Sequence, residues 1–269
     1  MKICIFSDLH IDFNERKLDI AFDEEFITFV KKKEADCVLI AGDISNTVQV
    51  TLDFIDHVQK ATGIPVYFIP GNHDVWTDGE GESTLAIEEL AKHPSCLIHH
   101  SIELSNDVVI VGDSGWYDYS FIDEMNLLEE DIKGFKDTNW DGRYTHLTKS
   151  DKEYLSECLN RIEKKLKQYE TKQVILMNHF IPQEDFLVWK SDRFWNLCNA
   201  YMGSKKLGEL IKRYENVTHC IFGHTHKRFG SVKKDYCMYI CTPLGYYGIE
   251  FFERDLQAML EESCVILDI

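Results

Sequence analysis

Five short segments of the sequence contain histidine, aspartate and asparagine side chains that could bind metal ions or transfer protons. The segments are Asp8-Leu9-His10, Gly42-Asp43, Gly71-Asn72-His73-Asp74, Asn178-His179 and Gly223-His224-Thr225-His226. Their side chains offer oxygen and nitrogen donors and no thiolate, which favours hard or borderline divalent ions. A set of this size predicts a site for two such ions.

Each of these segments directly follows an apolar run that predicts a buried strand. The runs lie at 2–6, 37–41, 66–69, 174–177 and 220–222. After the third run, Pro70 cannot continue a sheet ladder and Gly71 permits a sharp turn. Because the carboxyl ends of parallel strands meet at one edge of a sheet, where open α/β sheets place their ligands, we expect the five segments to meet in space.

Amphipathic segments between these strands predict helices at about 19–33, 48–60 and 83–92. A capping-box pattern, Ser150 to Glu153, predicts the start of another helix. Alternating strands and helices favour an α/β fold with a mainly parallel sheet. Further short strands are predicted at 96–98, 102–104 and 108–111, and closing antiparallel strands at 231–240 and 264–269. With no repeat or linker, we expect a single domain over residues 1–269.

Two irregular segments, at about 113–147 and 183–203, are rich in aromatic residues. Irregular segments of this length within a compact domain are often functional loops or lids. Aromatic side chains can form the walls of a pocket over a metal centre, or they can pack the insertions onto the core. We expect a cap-like role for both insertions, with Trp116 and Trp140 as substrate-binding residues.

The net charge is −17, from 29 basic and 46 acidic residues. This charge disfavours binding to nucleic acid or to an anionic membrane, although bound metal ions could reverse its sign locally. The nine cysteines are odd in number and form no C-x-x-C pair, so they predict free thiols. The first ten residues do not predict a signal peptide and no apolar run predicts a membrane span, so we expect a cytoplasmic protein.

The ordered set of motifs D-x-H, G-D, G-N-H-D, H and G-H-x-H resembles the calcineurin-like metallophosphoesterases, from Asp8 to His226. The resemblance implies an α/β (α+β) fold, a four-layer sandwich of two mixed β-sheets flanked by helices. It implies as cofactors two divalent metal ions, with Mn²⁺, Fe²⁺/Fe³⁺ and Zn²⁺ all suitable. The implied ligands are Asp8, His10, Asp43 and His226 for one ion, and Asp43, Asn72, His179 and His224 for the other.

The resemblance also implies a catalytic role for His73, which lies outside the ligand set. Imidazole titrates in the range needed to protonate a departing alkoxide. Asp74 would either orient the His73 ring or be a carboxylate that faces solvent. The implied reaction is hydrolysis of a phosphate ester by a hydroxide that bridges the two metals, without a covalent phosphoenzyme.

The sequence departs from the protein serine/threonine phosphatases of this family, which carry G-D-x-V-D-R-G and G-N-H-E. The corresponding segments here are 42–48 and Gly71 to Asp74, so the phosphate-binding arginine of the first motif is missing. We therefore predict a small-molecule phosphate mono- or diester as substrate. Two alternatives stay open: a non-catalytic scaffold of the same fold, which the full ligand set disfavours, and a nuclease, which the net charge disfavours.

Overall fold

The computed structural model describes residues 1–125 and 127–269, without the side chains of residues 129, 193 and 194. The part of the first insertion at Asn126 therefore lies outside the described residues. The strands are β1 (Lys2–Phe6), β2 (Cys37–Ala41), β3 (Val66–Ile69), β4 (Ser101–Glu103), β5 (Val108–Gly112), β6 (Gln173–Met177), β7 (Val217–Ile221), β8 (Gly230–Lys234), β9 (Cys237–Cys241) and β10 (Val265–Asp268).

The strands form two mixed sheets. The first sheet has the order β10-β1-β2-β3, in which β1, β2 and β3 are parallel and β10 is antiparallel to β1. The second has the order β4-β5-β6-β7-β9-β8, with β5, β6, β7 and β9 parallel and an antiparallel strand at each edge. The closing antiparallel strand predicted at 264–269 is confirmed as β10, whereas the segment predicted at 231–240 forms two strands, β8 and β9, which are antiparallel to each other while β9 is parallel to β7.

The strands alternate with α-helices, several of which cover the outer faces of the two sheets. The helices are α1 (Ile11–Leu18), α2 (Phe22–Lys33), α3 (Val48–Thr62), α4 (Glu82–Lys92), α5 (Glu129–Lys136), α6 (Trp140–Tyr144), α7 (Asp151–Gln168), α8 (Arg193–Leu197), α9 (Lys205–Lys212) and α10 (Leu256–Ser263). Helix α7 begins at the predicted capping box, in which the Ser150 hydroxyl accepts from the Glu153 N–H and the Glu153 carboxylate accepts from the Ser150 N–H.

Three apolar clusters separate four layers of structure. Between the sheets, Ile3 and Leu39 of the first sheet belong to one cluster with Ile110 and Ile175 of the second. A second cluster packs α2, α3, α4 and α10 against the outer face of the first sheet, and a third packs α7 and α9 against the outer face of the second. The predicted four-layer α/β sandwich is confirmed. The continuous apolar runs of β1 and β2 follow from this arrangement, because both of their faces are buried.

Several element predictions were wrong in detail. The helix predicted at 19–33 begins at Phe22 and is preceded by a separate helix, α1, which the sequence did not predict. The strand predicted at 96–98 is a single bridge between Phe68 and Cys96.

All nine cysteines are free, as predicted. Among the described helices, none has the length and apolar content needed to cross a bilayer.

Candidate metal centre and cleft

The loops that follow β1, β2, β3, β6 and β7 bring the predicted ligands together at one edge of the two sheets. One donor atom from each of Asp8, His10, Asp43 and His226 lies within 4.8 Å of the others. The same holds for Asp43, His179 and His224. The two groups therefore share Asp43. The remaining predicted ligand, Asn72, places its Oδ1 3.1 Å from Nε2 of His179.

Hydrogen bonds orient the imidazole rings of this site. Nδ1 of His179 lies 2.9 Å from the backbone oxygen of Ala41, and Nδ1 of His226 lies 2.7 Å from Oε2 of Glu250. Nε2 of His224 lies 3.1 Å from a backbone oxygen in the second insertion. Each ring thereby directs its other nitrogen towards the cluster, which is the arrangement that outer-shell partners give to metal-binding histidines.

Two features of the site fit a bound cation. Oδ2 of Asp8 is buried and has no hydrogen-bond partner among the described residues. The glycines of the motifs leave room for the carboxylates, since a Cβ at Gly223 would lie 2.3 Å from Asp8 Oδ2 and one at Gly71 would lie 2.1 Å from Asp43 Oδ1. A buried carboxylate oxygen without a donor is costly unless a cation or proton satisfies it. The donor set of carboxylates, imidazoles and one amide suits divalent Mn, Fe or Zn.

Five of the seven predicted ligands have a left-handed backbone, which is uncommon for residues other than glycine. Their φ angles lie between 43° and 67°. Strained conformations of this kind cost on the order of 1 kcal/mol each and concentrate at functional sites. The chain turns sharply at the strand ends so that these side chains point into one cluster. The residues are Asp8, His10, Asp43, His224 and His226.

The pKa values place a negative charge at the centre of the cluster. Burial alone would raise the pKa of Asp43, but His179 and His73 outweigh it and hold that pKa well below its usual range. Burial opposes the charged form of His179, but the charge of Asp43 raises the pKa of His179 to about 9. Burial and the neighbouring charge of His73 lower the pKa of His10 and favour the neutral ring, which is the form that binds metals.

His73 lies beside the shared carboxylate. Its backbone N–H donates to Asp43 Oδ1 at 2.9 Å, and its ring Nδ1 lies 2.8 Å from Oδ1 of Asn46. Its Nε2 has no hydrogen-bond partner among the described residues and lies 4.0 Å from Asp43 Oδ2. Burial lowers the pKa of His73, and the charges of Asp43 and Asp141 oppose that shift. The sequence analysis missed Asn46, although it lies only three residues after Asp43.

Asp74 does not have either of its predicted positions. Its carboxylate is fully buried, and it accepts hydrogen bonds from two backbone N–H groups in the loop after β2, the Thr51 hydroxyl and the Gly71 N–H. The ring of His73 is oriented by Asn46 instead. The predictions that Asp74 orients His73 or faces solvent are therefore wrong. Burial raises the pKa of Asp74 to about 7, and its role is to connect the loops that follow β2 and β3.

Asp141 is a site residue that the sequence analysis missed. Its Oδ1 accepts hydrogen bonds from Asn72 Nδ2 at 2.8 Å and from Trp76 Nε1 at 3.0 Å. Because the amide nitrogen of Asn72 is held in this way, its oxygen is directed towards His179. Burial raises the pKa of Asp141. No motif surrounds this residue, which lies in α6 within the first insertion, so no sequence signal identified it.

A cleft of about 960 Å³ opens above the cluster and is lined by its residues Asp43, His224 and His226. Much of its lining is aromatic or aliphatic, as is common for sites that bind organic molecules. Arg16 is the one lysine or arginine among the described lining residues. The apolar lining residues are Phe13, Trp76, Trp140, Tyr144, Tyr246 and Ile249.

The two tryptophans that we predicted to bind substrate have different positions. Trp116 is 1% exposed, its Nε1 donates to Asp151 Oδ1 at 2.8 Å, and its ring packs against Phe180. It is a core residue, so the prediction for Trp116 is wrong. Trp140 is 61% exposed and lines the cleft. No described residue of the second insertion lines the cleft. The second insertion contacts the cluster through the backbone oxygen of Tyr201, which is hydrogen-bonded to the ring of His224.

Residues 1–228 match the sequence model of the calcineurin-like phosphoesterases. A probable cyclic nucleotide phosphodiesterase from Psychrobacter arcticus is 25% identical over 228 residues, which cover 83% of this chain and 68% of the relative. A phosphopantetheinyl hydrolase from Mycobacterium tuberculosis has a similar structure, with a TM-score of 0.72 at 17% identity over 91% of this chain and 89% of that chain. A dimetal phosphatase from Danio rerio gives a TM-score of 0.55 at 15% identity over 90% and 87%. At these identities the two structural matches show a shared fold.

Proposed function

Since the chain belongs to the calcineurin-like phosphoesterase family and is thus a phosphoric ester hydrolase, we propose that it hydrolyses a small organic phosphate mono- or diester with two divalent metal ions. The observation that carries this proposal is the pair of ligand groups that share Asp43 at the base of a cleft of about 960 Å³. A cleft of this size and apolar character suits a small organic molecule. The net charge of −17 disfavours the alternative of a nuclease.

In this proposal, Asp8, His10, Asp43 and His226 hold one ion, and Asp43, Asn72, His179 and His224 hold the other. Two divalent ions of this kind supply polarisation of the phosphoryl oxygens and activation of water. The protein positions its donor atoms before an ion binds, through the hydrogen bonds to the imidazole rings and through the left-handed backbone conformation of the residues that follow the strands. Mn²⁺, iron and Zn²⁺ all match the donor types.

His73 is the proposed proton donor to the leaving oxygen. Its Nδ1 is engaged by Asn46, which leaves Nε2 free to reach an ester bound beside Asp43. An anionic phosphate ester within a few ångströms would favour the charged form of the ring, because an opposite charge raises the pKa of an imidazole. The residue would thereby be protonated when the ester is bound.

The name of the Psychrobacter relative, a probable cyclic nucleotide phosphodiesterase, makes a cyclic phosphodiester a suitable first substrate to test. A panel of 4-nitrophenyl phosphate, bis(4-nitrophenyl) phosphate and 3′,5′-cyclic AMP would separate monoesterase from diesterase activity. Single-stranded DNA belongs in the same panel, because faster cleavage of DNA than of every small ester would support the nuclease alternative and overturn the proposal.

Asp43→Asn tests the shared ligand directly. We expect the protein with Asp43→Asn to lose at least about 100-fold in kcat/KM, because the amide weakens both metal groups and the loss of even an outer-shell partner costs 10- to 100-fold. Elemental analysis after dialysis against Mn²⁺ measures the bound metal, and we expect less than one equivalent in place of two.

Asp107→Asn is the matched control, since Asp107 is an exposed carboxylate in the loop between β4 and β5. It should retain the metal content and activity of the unchanged protein. Two full equivalents of manganese in the Asp43→Asn protein would contradict the shared-ligand assignment. A manganese-loaded protein that cleaves no ester of the panel would favour the scaffold alternative.

A further inference from the structure

Three neighbouring aromatic side chains line one side of the cleft, and we call them the aromatic wall: Trp76, Tyr144 and Trp140, of which Trp76 and Tyr144 are tilted by 32° and Tyr144 and Trp140 are stacked. The ring centroids of Trp76 and Tyr144 are 5.5 Å apart, and those of Tyr144 and Trp140 are 5.8 Å apart with an interplanar angle of 7°. All three residues line the cleft. The wall joins two parts of the sequence, because Trp76 follows the third motif and the other two residues lie in α6.

The inner end of the aromatic wall contacts the proposed proton donor. The ring of His73 lies 3.5 Å, centroid to centroid, from the ring of Trp76. A group that receives a proton from His73 Nε2 is the leaving group of the ester. The wall therefore begins where the leaving group would lie and extends away from the metal ligands to Trp140.

Packing of α6 onto the protein does not account for the outer end of the wall. Helix α6 is already held by the two hydrogen bonds that Asp141 accepts from Asn72 and Trp76, and by the Tyr144 carbonyl, which accepts from the Thr77 N–H at 2.8 Å. Trp140 is nevertheless 61% exposed. Its exposed surface is continuous with the apolar lining that Trp76 and Tyr144 give to the cleft, and a contiguous exposed apolar patch of this kind marks a ligand-binding groove.

We propose that the aromatic wall binds a flat, uncharged ring carried by the leaving group of the ester, such as an aryl group or a nucleobase. This inference rests on the proposed function and adds the class of its substrate. Stacking against aromatic faces gives about 0.5–1.5 kcal/mol beyond the burial of area, or roughly two- to tenfold in affinity. Only a leaving group long enough to pass Trp76 would gain contact with Trp140.

The test compares phenyl phosphate with 2-naphthyl phosphate on the manganese-loaded protein. The two leaving groups have similar acidity, so the metal ions and His73 act on both alike, whereas the naphthyl group, with a second fused ring, offers the larger flat area. We expect kcat/KM to favour the naphthyl ester, and Trp140→Ala to reduce this preference about fivefold by lowering kcat/KM for the naphthyl ester more than kcat/KM for phenyl phosphate. Trp140→Phe should retain most of the preference.

Trp189→Ala is the matched control. Trp189 is 51% exposed, lies in the second insertion and is not among the described residues that line the cleft. It should leave the naphthyl preference intact. Melting temperatures of both variants would show whether either change acts through stability, and a loss of both esters in proportion to a lower melting temperature would overturn the inference.

A naphthyl preference that survives Trp140→Ala, or that is absent from the unchanged protein, would overturn the aromatic wall and leave the proposed function standing. If neither monoester is hydrolysed, the proposed function is decided separately, by the diesters of its own panel, and it fails if those are not cleaved either. In that case calorimetry with 2-naphthylmethylphosphonate and benzylphosphonate makes the same comparison without turnover. Tighter binding of the naphthyl compound that Trp140→Ala removes would support the ring site, and equal binding of the two compounds would overturn it.

Discussion

Asp141 connects the first insertion to one of the proposed metal ligands, Asn72, through a single carboxylate oxygen. That oxygen accepts from the amide of Asn72 and from the indole of Trp76, so one residue positions both a predicted ligand and the inner end of the aromatic wall. An asparagine amide can present either its oxygen or its nitrogen to a neighbour. The acceptor at Asp141 fixes which of the two faces His179.

We predict that Asp141→Ala weakens binding of the ion held by Asp43, Asn72, His179 and His224 by about 10- to 100-fold, the range found for outer-shell partners. Asp141→Asn should retain most of the affinity, because its amide oxygen can still accept both hydrogen bonds. Titration of the metal-free proteins with Mn²⁺, monitored by calorimetry, measures the affinity of each of the two sites for the ion. Equal affinity of the Ala variant and the unchanged protein at both sites would show that Asp141 has no positioning role.

His73→Ala should slow the cleavage of benzyl phosphate much more than that of 4-nitrophenyl phosphate. A benzyl alkoxide needs a proton as it leaves, and general acids contribute about 100-fold or more, whereas a nitrophenolate departs with little help. Metal content should be unchanged, since His73 is not a predicted ligand. Asn46→Ala is the companion variant, and it should give a smaller loss with the same selectivity because the ring remains but is no longer oriented.

Paired rates on the two esters decide the role of His73. The same loss for both esters would remove His73 from proton donation and leave it a structural neighbour of Asp43. A loss of bound manganese in His73→Ala would instead make it a support of the metal site. Circular dichroism of each variant checks that the fold is retained.

The proposed metal ligands could be identified from the sequence because each follows a recognisable strand and turn. The positions of Asp74 and Trp116 could not, because their surroundings come from segments far away in the chain. Asp74 accepts hydrogen bonds from the loop after β2, some thirty positions earlier in the chain. Trp116 donates a hydrogen bond to Asp151, at the start of α7. Local sequence shows neither burial nor the partner that satisfies a buried polar group.

At the scale of elements, the loop after β3 approaches the loop after β2 more closely than any side chain would allow. A Cβ at Gly71 would lie 2.1 Å from Asp43 Oδ1 and 2.6 Å from the Asp43 backbone nitrogen. The two parallel strands β2 and β3 are neighbours in one sheet, so the loops cannot separate without disturbing the strand ends. Gly71 is therefore required for the contact and not only for the turn.

We expect Gly71→Ala to displace Asp43 and to lower metal content and activity together, with a fall in melting temperature. Gly134→Ala is a suitable control, because nothing lies within 4 Å of a Cβ at this position in α5. Alanine in a helix interior should stabilise the protein by about 0.5–1 kcal/mol. Elemental analysis and thermal unfolding on both variants test the difference, and full metal binding by Gly71→Ala would show that the loops can adjust.

Strands β1, β2, β3, β5 and β6 could be predicted from the sequence because each is a short, largely apolar run that ends at glycine, proline or a polar cluster. Helices α1 and α6 were missed for two reasons. Helix α1 has few apolar residues, and its N-cap residue, His10, has a left-handed backbone and makes no side-chain capping hydrogen bond, so the sequence gives no capping signal there. Helix α6 has five residues, too few for a periodic pattern to emerge.

At the scale of the whole molecule, the net charge of −17 opposes the approach of an anionic ester. Two bound divalent cations would offset only part of this charge. Arg16 is the one lysine or arginine among the described residues that line the cleft. Attraction to the metal site therefore acts at short range, whereas repulsion by the surface acts over the Debye length, about 30 Å at 0.01 M salt and about 8 Å at 0.15 M.

This balance predicts that kcat/KM rises with ionic strength, because added salt screens the long-range repulsion before it screens contacts within the cleft. The rise should be about twofold or more for the dianion of 4-nitrophenyl phosphate and smaller for the monoanion of bis(4-nitrophenyl) phosphate, since the repulsion scales with the charge of the substrate. The ratio of the two esters serves as an internal control, because a specific effect of salt on metal binding would change both rates alike. Measurements between 0.01 and 0.15 M salt at fixed Mn²⁺ test this prediction. If kcat/KM falls with salt, more steeply for the dianion, the positive potential of the site extends beyond the cleft and outweighs the charge of the surface.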